Sequence, residues 1–539
     1  MSESTRGSWP WMIEADTVLQ LLERRAALTP DALALLDEEG RRVTCRQLLG
    51  MVEQYAALLA ELGIESGTRV AWQLPTRIST YAVMLALRRL GAVQAPIIPL
   101  YREREVTACL AAVEAEHFLV PGTWKGHDFV AMAERLDLPE RVRPRVIVID
   151  LDPTGADHEV ATVTTPAADP DDVRWIYFTS GSSGMPKGVR HTDDSLLTGG
   201  LGFAGRGRLG AEPDELAAAA FPIAHVGGVL YLIAALGGGY PILLQEAFVP
   251  GPAAEAMHMH GVTVTGGAPP FYQALVALAQ DAGVQPFLPS LRVLKGGGAP
   301  CSVELFEQVR DVLGTVVAHD YGMTEVPMIA AGDPHDPGDL LARTDGGVVP
   351  GNEVRAVGPS GEPLPSGESG ELQVSGRGVC RGYLDHSETE RAFTADGWFR
   401  TGDLGIVHDS GHVEVVGRLK DVIIRKGENL VPFEIELVLG TFPGVAEVAV
   451  VGLPDEERGE LVCAVVAVRP GHPRPSLVDL AEHLAAAGLM RQKWPERLEV
   501  VDELPRTGLA KVAKAELKRR FGAPETPPAT VGATERNHA

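Results

Sequence analysis

Between Gln47 and Pro99 the hydrophobic pattern changes period repeatedly, and few folds accommodate such switching. Gln47–Leu62 carries apolar residues at three- and four-residue intervals, the spacing of an amphipathic helix. Arg69–Gln73 is a short apolar run, Ala82–Leu90 is helical again, and Ala92–Pro99 is a second run. Short buried strands alternating with helices predict an α/β fold with mostly parallel sheets. A helix at Glu103–Ala115 and a strand at Arg145–Asp150 continue the alternation. Upstream, Ala32–Asp37 and Arg42–Thr44 read as a hairpin around Glu39-Gly40.

With 539 residues, two or more domains are expected. A formal charge of −24 argues against a nucleic-acid surface or a basic membrane-binding face. Cys45, Cys109, Cys301, Cys380 and Cys463 are dispersed, without zinc or disulfide spacing, and predict reduced thiols in a cytoplasmic protein. The first sixteen residues lack the continuous apolar core of a signal peptide. Leu216–Leu244 has no charged residue and is long enough to span a bilayer. Pro222, His225, Gly237-Gly238-Gly239 and Pro241 break it up, so a strand at Ala219–Phe221, a helix at Gly228–Leu236 and a strand at Ile242–Leu244 are expected, with no integral membrane segment.

The apolar run Trp175–Phe178 stops abruptly at Thr179-Ser180-Gly181-Ser182-Ser183-Gly184-Met185-Pro186-Lys187-Gly188-Val189. Gly181 and Gly184 permit a tight turn and close approach of backbone to a ligand. Successive N–H groups form an anion-binding concavity, to which Thr179, Ser180, Ser182 and Ser183 add hydroxyls and Lys187 a positive charge. The stretch reads as a polyphosphate cradle. It is not a Walker loop, because Pro186 precedes Lys187 and Gly188 follows it. A formal G-x-G-x-x-G at Gly205–Gly210 has no strand before it and is read as coincidence.

Further segments of defined chemistry follow in order: Phe221-Pro222-Ile223-Ala224-His225-Val226-Gly227-Gly228, Gly266-Gly267-Ala268-Pro269-Pro270 and Gly296-Gly297-Gly298-Ala299-Pro300. Bare backbone on the two glycine loops, behind strands at Val262–Thr265 and Arg292–Leu294, would leave room for a flat or bulky ligand. After a strand at Val316–His319 come Asp320-Tyr321-Gly322-Met323-Thr324-Glu325, then Trp398-Phe399-Arg400-Thr401-Gly402-Asp403-Leu404. Gly417-Arg418-Leu419-Lys420-Asp421 leads to Lys426-Gly427-Glu428-Asn429, and Leu504-Pro505-Arg506-Thr507-Gly508-Leu509-Ala510-Lys511 is the last motif.

Together these segments resemble the acyl/aryl-CoA ligase, luciferase and peptide-synthetase adenylation superfamily over nearly the whole chain. The resemblance implies a large N-terminal domain (1–419) for ATP and the acid, and a small, mobile α+β domain (420–522) carrying Lys511. Lys420 is then the hinge. Strands at Val448–Gly452, Val462–Val468 and Leu498–Val501 with a helix at Leu477–Ala487 suit that second domain, and residues 523–539 read as a disordered Pro/Thr/Ala-rich tail.

By the same resemblance His225 and Val226 line the carboxylate pocket with Gly266, Gly297 and Met323. Gly298, Ala299 and Pro300 pack against adenine, on which Tyr321 stacks between Asp320 and Gly322. Thr324 meets the α-phosphate, Glu325 and Thr179 serve Mg²⁺, and Asp403 and Arg418 hold the ribose. A carboxylate can accept from both ribose hydroxyls. Lys426, Gly427 and Glu428 resemble the CoA-ligase form of their segment. Lys511 would bridge the acid and the α-phosphate, leaving Lys187 to hold departing pyrophosphate. Leu509-Ala510 departs from the usual Ser-Gly before that lysine.

ATP, Mg²⁺ and CoA are therefore the expected cofactors, and the expected activity is ATP-dependent ligation of a carboxylic acid (fatty, alicyclic or aromatic) to CoA through an acyl-adenylate. The absence of a carboxylate between Phe221 and Leu244 disfavours an α-amino acid. A stand-alone enzyme loading an acyl carrier protein and a non-catalytic nucleotide-binding regulator are the alternatives, and a homodimer is left open.

Overall fold

A computed structural model of the chain describes residues 9–151, 165–166, 169, 172–180, 185–219, 221–284, 286–299, 301–426, 428–455, 457–506 and 512–522. It divides into two compact units, Met1–Val415 and Val416–Ala539.

The first unit holds two large sheets. One has six strands in the order 186–191, 175–180, 93–96, 69–72, 117–120, 145–148, parallel throughout except for the first pair. The other has nine strands, whose parallel centre runs through 316–321, 293–297, 264–266, 217–218, 242–244 and 33–37. Antiparallel strands finish both of its edges. Val70, Trp72 and Tyr177 of the smaller sheet share one hydrophobic core with Leu35, Val264 and Leu294 of the larger. Helices buried all round fill that core, which is why their sequences lack a clean polar face. All 13 residues of Ile78–Leu90 are buried.

Local chemistry explains the ends of these elements. Helix Cys45–Glu61 starts where Thr44 and Gln47 form a reciprocal capping box. Helix Asp193–Arg206 begins with two acids at its positive end. Asp193 pairs with Arg88 at 2.5 Å, both less than 5% exposed. Arg377 grips Asp194 through two nitrogens, at 2.6 and 3.0 Å.

The uncharged stretch resolves into the short strand Ala217–Ala218, the helix Val226–Gly238 and the strand Ile242–Leu244. The first strand lies upstream of the expected Ala219–Phe221 because Ala217 is where the chain meets both Ile242 and Val264 in register. Among the described residues no helix is long and apolar enough to cross a membrane. Gly205 and Gly207 of the formal dinucleotide motif leave room for the Trp9 ring and the Lys295 side chain, so the motif is helix packing. A four-stranded antiparallel sheet, 352–357, 369–376, 399–407 and 413–418, carries the Asp403 segment.

The second unit is an α+β assembly. Val445–Asp455 and Gly459–Val468 form a long antiparallel pair, and Arg497–Val501 adds to it in parallel. Ile423–Arg425 and Glu428–Leu430 form a hairpin on the other side of Gly459–Val468. Ile435, Leu439, Leu480 and Leu484 of its helices cover Val450 and Val466. The division between units falls after Val415, within the strand Val413–Arg418. Residues 523–539, and all but residues 165, 166 and 169 of the approach to the phosphate loop at 161–170, lie outside the described residues.

Candidate active site

Strands Trp175–Ser180 and Pro186–His191 pair antiparallel, so the phosphate loop closes a hairpin with Thr179 opposite Lys187 and Ser180 opposite Pro186. Thr179 is half-buried. Gly181, Ser182, Ser183 and Gly184 lie outside the described residues, and for Ser180 only the strand position is described. Lys187 is matched by a partner the sequence did not suggest: its Nζ is 2.6 Å from Glu388 Oε2 and 5.9 Å from the centre of the Tyr383 ring.

Farther along the chain, Tyr321 and Asp403 come together. The Tyr321 hydroxyl donates to Asp403 Oδ2 at 2.8 Å across 82 residues of sequence, and Asp403 is 4% exposed. A bulge places that carboxylate: the pairing of Ser369–Gly376 with Phe399–Val407 slips beside Thr401-Gly402. Gly402 takes φ +70°, a left-handed conformation suited to glycine. The Thr401 hydroxyl donates to Leu372 O at 2.7 Å and accepts from the Asp403 N–H at 3.0 Å.

Thr324 and Glu325 are held from the edge of the smaller sheet. His191, fully buried at the end of its strand, donates from Nε2 to Thr324 O at 2.7 Å, with Nδ1 2.8 Å from the Ser195 hydroxyl. Burial lowers its imidazole to about 4, outweighing the carbonyl that favours its charged form. The Cys380 N–H donates to Glu325 O at 2.9 Å. The Tyr383 hydroxyl donates to Glu325 Oε1 at 2.7 Å. Burial, then the neighbouring Glu325 charge, pushes that phenol far above its ordinary range, so it remains a donor. His191, Tyr383 and Glu388 carried no signal in the sequence, since each becomes meaningful only through a partner between 58 and 201 residues away.

At three of the expected positions the structure shows close packing. Asp320 Oδ1 is 2.7 Å from Lys295 Nζ, and both residues are at least 97% buried. Lys295 also donates to Gly332 O at 2.7 Å, tying neighbouring strands together. Burial raises the Asp320 carboxyl above its ordinary value and Lys295 opposes that rise. At Gly266 and Gly297 a side chain would meet neighbouring backbone. A Cβ on Gly266 would lie 1.4 Å from Lys295 O, and one on Gly297 1.8 Å from Asp320 O. Their bareness lets adjacent backbones close up.

His225 ends the loop before Val226–Gly238, where its Nδ1 accepts from the Gly227 N–H at 3.0 Å. Its ring stacks on Phe221 with centroids 5.6 Å apart. Val226 is buried, while Met323 and Ala299 are half-buried and Gly298 is exposed. Gly322 is bare because a Cβ would meet Pro327 O at 2.4 Å. In the second unit Arg418, Lys420 and Glu428 are exposed, and Lys426, at φ +50°, pairs with Glu457 at 2.9 Å. Pro300, Gly427 and Lys511 lie outside the described residues.

Among the described residues no group of three or more His, Cys, Asp or Glu could hold a metal alone. Glu325 as a single hard oxygen donor nevertheless suits Mg²⁺, which binds through one or two carboxylates plus substrate phosphates.

Two mostly parallel sheets, an antiparallel hairpin at 175–191 and a buried Tyr321–Asp403 pair make up the candidate site's frame. The chain matches the AMP-binding enzyme model over residues 22–384 and the AMP-binding enzyme C-terminal domain over 434–511. It is 34% identical over 523 residues to a feruloyl-CoA synthase of Amycolatopsis sp, covering 96% of this chain and 99% of that protein. It is 30% identical to the medium-chain fatty-acid–CoA ligase of Escherichia coli (strain K12), over 92% of this chain and 89% of that one. The crystal structure of ATP-bound MatB from Rhodopseudomonas palustris superposes with a TM-score of 0.84 at 28% identity, covering 94% of this chain and 99% of that one. The chain belongs to the AMP-binding enzyme family, in the adenylate-forming superfamily of acyl- and aryl-CoA ligases.

Proposed function

We propose that this protein is an ATP-dependent, AMP-forming acid–CoA ligase acting on a carboxylic acid with an uncharged body. The observation that supports this reading is the Tyr321–Asp403 hydrogen bond, which joins two motifs 82 residues apart. Catalysis requires activation, because a carboxylate lacks a usable leaving group. Attack of a carboxylate oxygen on the α-phosphorus of ATP expels pyrophosphate and forms the acyl-adenylate. The CoA thiol then attacks the acyl carbonyl, losing its proton as AMP departs.

Both steps depend on positioning and on placing donors where charge accumulates. Asp403 accepts from the ribose, the Tyr321 ring covers the adenine, and Thr324 meets the α-phosphate. Glu325 and Thr179 would hold Mg²⁺, which when bound offsets the charge of the phosphates. Lys511 bridges the acid and the α-phosphate in the first step only, and movement about Lys420 withdraws it for the second. Lys187 holds pyrophosphate by exchanging its Glu388 partner for phosphate oxygens. His225, stacked on Phe221 at the head of an uncharged helix, borders the acid, and nothing on that helix would pair an ammonium group. Five unpaired cysteines fit a cytoplasmic enzyme.

The test is AMP and pyrophosphate release from ATP across a panel of aromatic, alicyclic and aliphatic acids, with and without CoA. AMP formation that needs both acid and CoA is expected. Nucleotide binding without turnover on any acid would overturn the reading.

A further inference from the structure

The edge strand Pro186–His191 gains a neighbour that the motif chemistry does not call for. The Leu384 N–H donates to Gly188 O at 2.8 Å and the Arg190 N–H to Gly382 O at 2.9 Å. Tyr383 thereby lies opposite Val189 in an antiparallel bridge. Directly opposed residues share a sheet face, and alternate residues of one strand share it too. Lys187, Val189, His191 and Tyr383 therefore occupy one face.

That face reaches Thr324 and Glu325 at two points. His191 takes the Thr324 carbonyl at 2.7 Å, and the Tyr383 hydroxyl takes Glu325 Oε1 at 2.7 Å. The Tyr383 ring also lies 5.9 Å from Lys187 Nζ, whose charge is paired with Glu388. The Tyr383 backbone is fastened as well: Thr389 Oγ1, on the helix His386–Ala392, accepts its N–H at 2.9 Å.

We infer that Tyr383 is a positioning residue for the metal: its phenol fixes the plane of the Glu325 carboxylate, and its ring ties that carboxylate to the strand leaving the phosphate loop. This rests on the reading of Glu325 as a Mg²⁺ ligand. A carboxylate that carries a permanent neutral donor on one oxygen is restrained in rotamer, and outer partners of this kind typically change metal affinity by about 10- to 100-fold.

The test measures Mn²⁺ binding by the depletion of the free-ion electron paramagnetic resonance signal, with α,β-methylene-ATP present so that no turnover occurs. Thermal unfolding of each variant accompanies it. Tyr383→Phe keeps the ring and removes the donor; it should bind Mn²⁺ about tenfold more weakly with a melting temperature near that of the wild type. Tyr383→His, whose ring N–H restores a donor, should fall between the two. Unchanged Mn²⁺ affinity in Tyr383→Phe, or the same loss in both variants, overturns the positioning role. Glu325→Gln separates the two levels. If it binds Mn²⁺ as the wild type does, the metal reading fails and the inference with it; if it weakens binding while Tyr383→Phe does not, the inference alone fails.

Discussion

His191 illustrates how one residue couples the site to stability. Its imidazole is held to about 4 in the folded chain against 6.5 when solvated, because burial disfavours the cation. Below pH 6.5 the unfolded chain binds the proton that the folded chain refuses. Stability is therefore lost as pH falls from 6.5 to about 4 and levels off below, roughly 3 kcal/mol from this group. Urea unfolding across that range should show this component in the wild type and lack it in His191→Asn. Asp403 gives a prediction for binding. Asp403→Asn retains the shape but surrenders a charged acceptor, a loss of about 1.5–3 kcal/mol. The ATP KM in acid-dependent pyrophosphate exchange should rise by about tenfold or more, with little change in melting temperature.

At the scale of elements, close approach between strands and buried charge between helices dominate. Gly297→Ala would drive a methyl into Asp320 O, 1.8 Å away, and force the central strands apart. A loss of about 3 kcal/mol, the upper end for overpacking, is expected in thermal or denaturant unfolding. Gly251→Ala is the matched control, since nothing lies within 4 Å of the added carbon. Arg88→Ala leaves Asp193 charged and buried, which typically costs about 3–5 kcal/mol. Both effects act through packing within the first unit and should lower stability before activity per folded molecule.

At the scale of the whole molecule, the proposed function assigns two reactions to one ATP site and predicts that they can be separated genetically. Lys511→Ala should abolish acid-dependent pyrophosphate release while sparing thioester formation from supplied acyl-adenylate. Lys420→Pro, in the exposed turn Leu419–Asp421, should do the reverse: adenylation retained, thioester formation slowed at least about tenfold. Rapid-quench measurement of each half-reaction distinguishes these outcomes, and parallel loss of both halves in either variant would sink the division of labour.

Much of this was legible in the residues themselves. Switching hydrophobic period predicts the helices and parallel strands, because side-chain burial obeys 3.6- and 2-residue repeats that any reader of the chain can count. The hairpin at Glu39-Gly40, the helix Cys45–Glu61 and the phosphate-loop strand follow from that local rule. The motifs marked the candidate nucleotide residues by type. What only the tertiary structure decided is pairing. Lys187 with Glu388, Tyr383 with Glu325, His191 with Thr324 and Lys295 with Asp320 join residues 25 to 201 positions apart. No periodicity encodes such partners, since the distance between them is set by how layers stack. The same holds for Gly266 and Gly297: a glycine in a sequence announces missing volume, and only packing reveals whether a ligand or a neighbouring strand fills it.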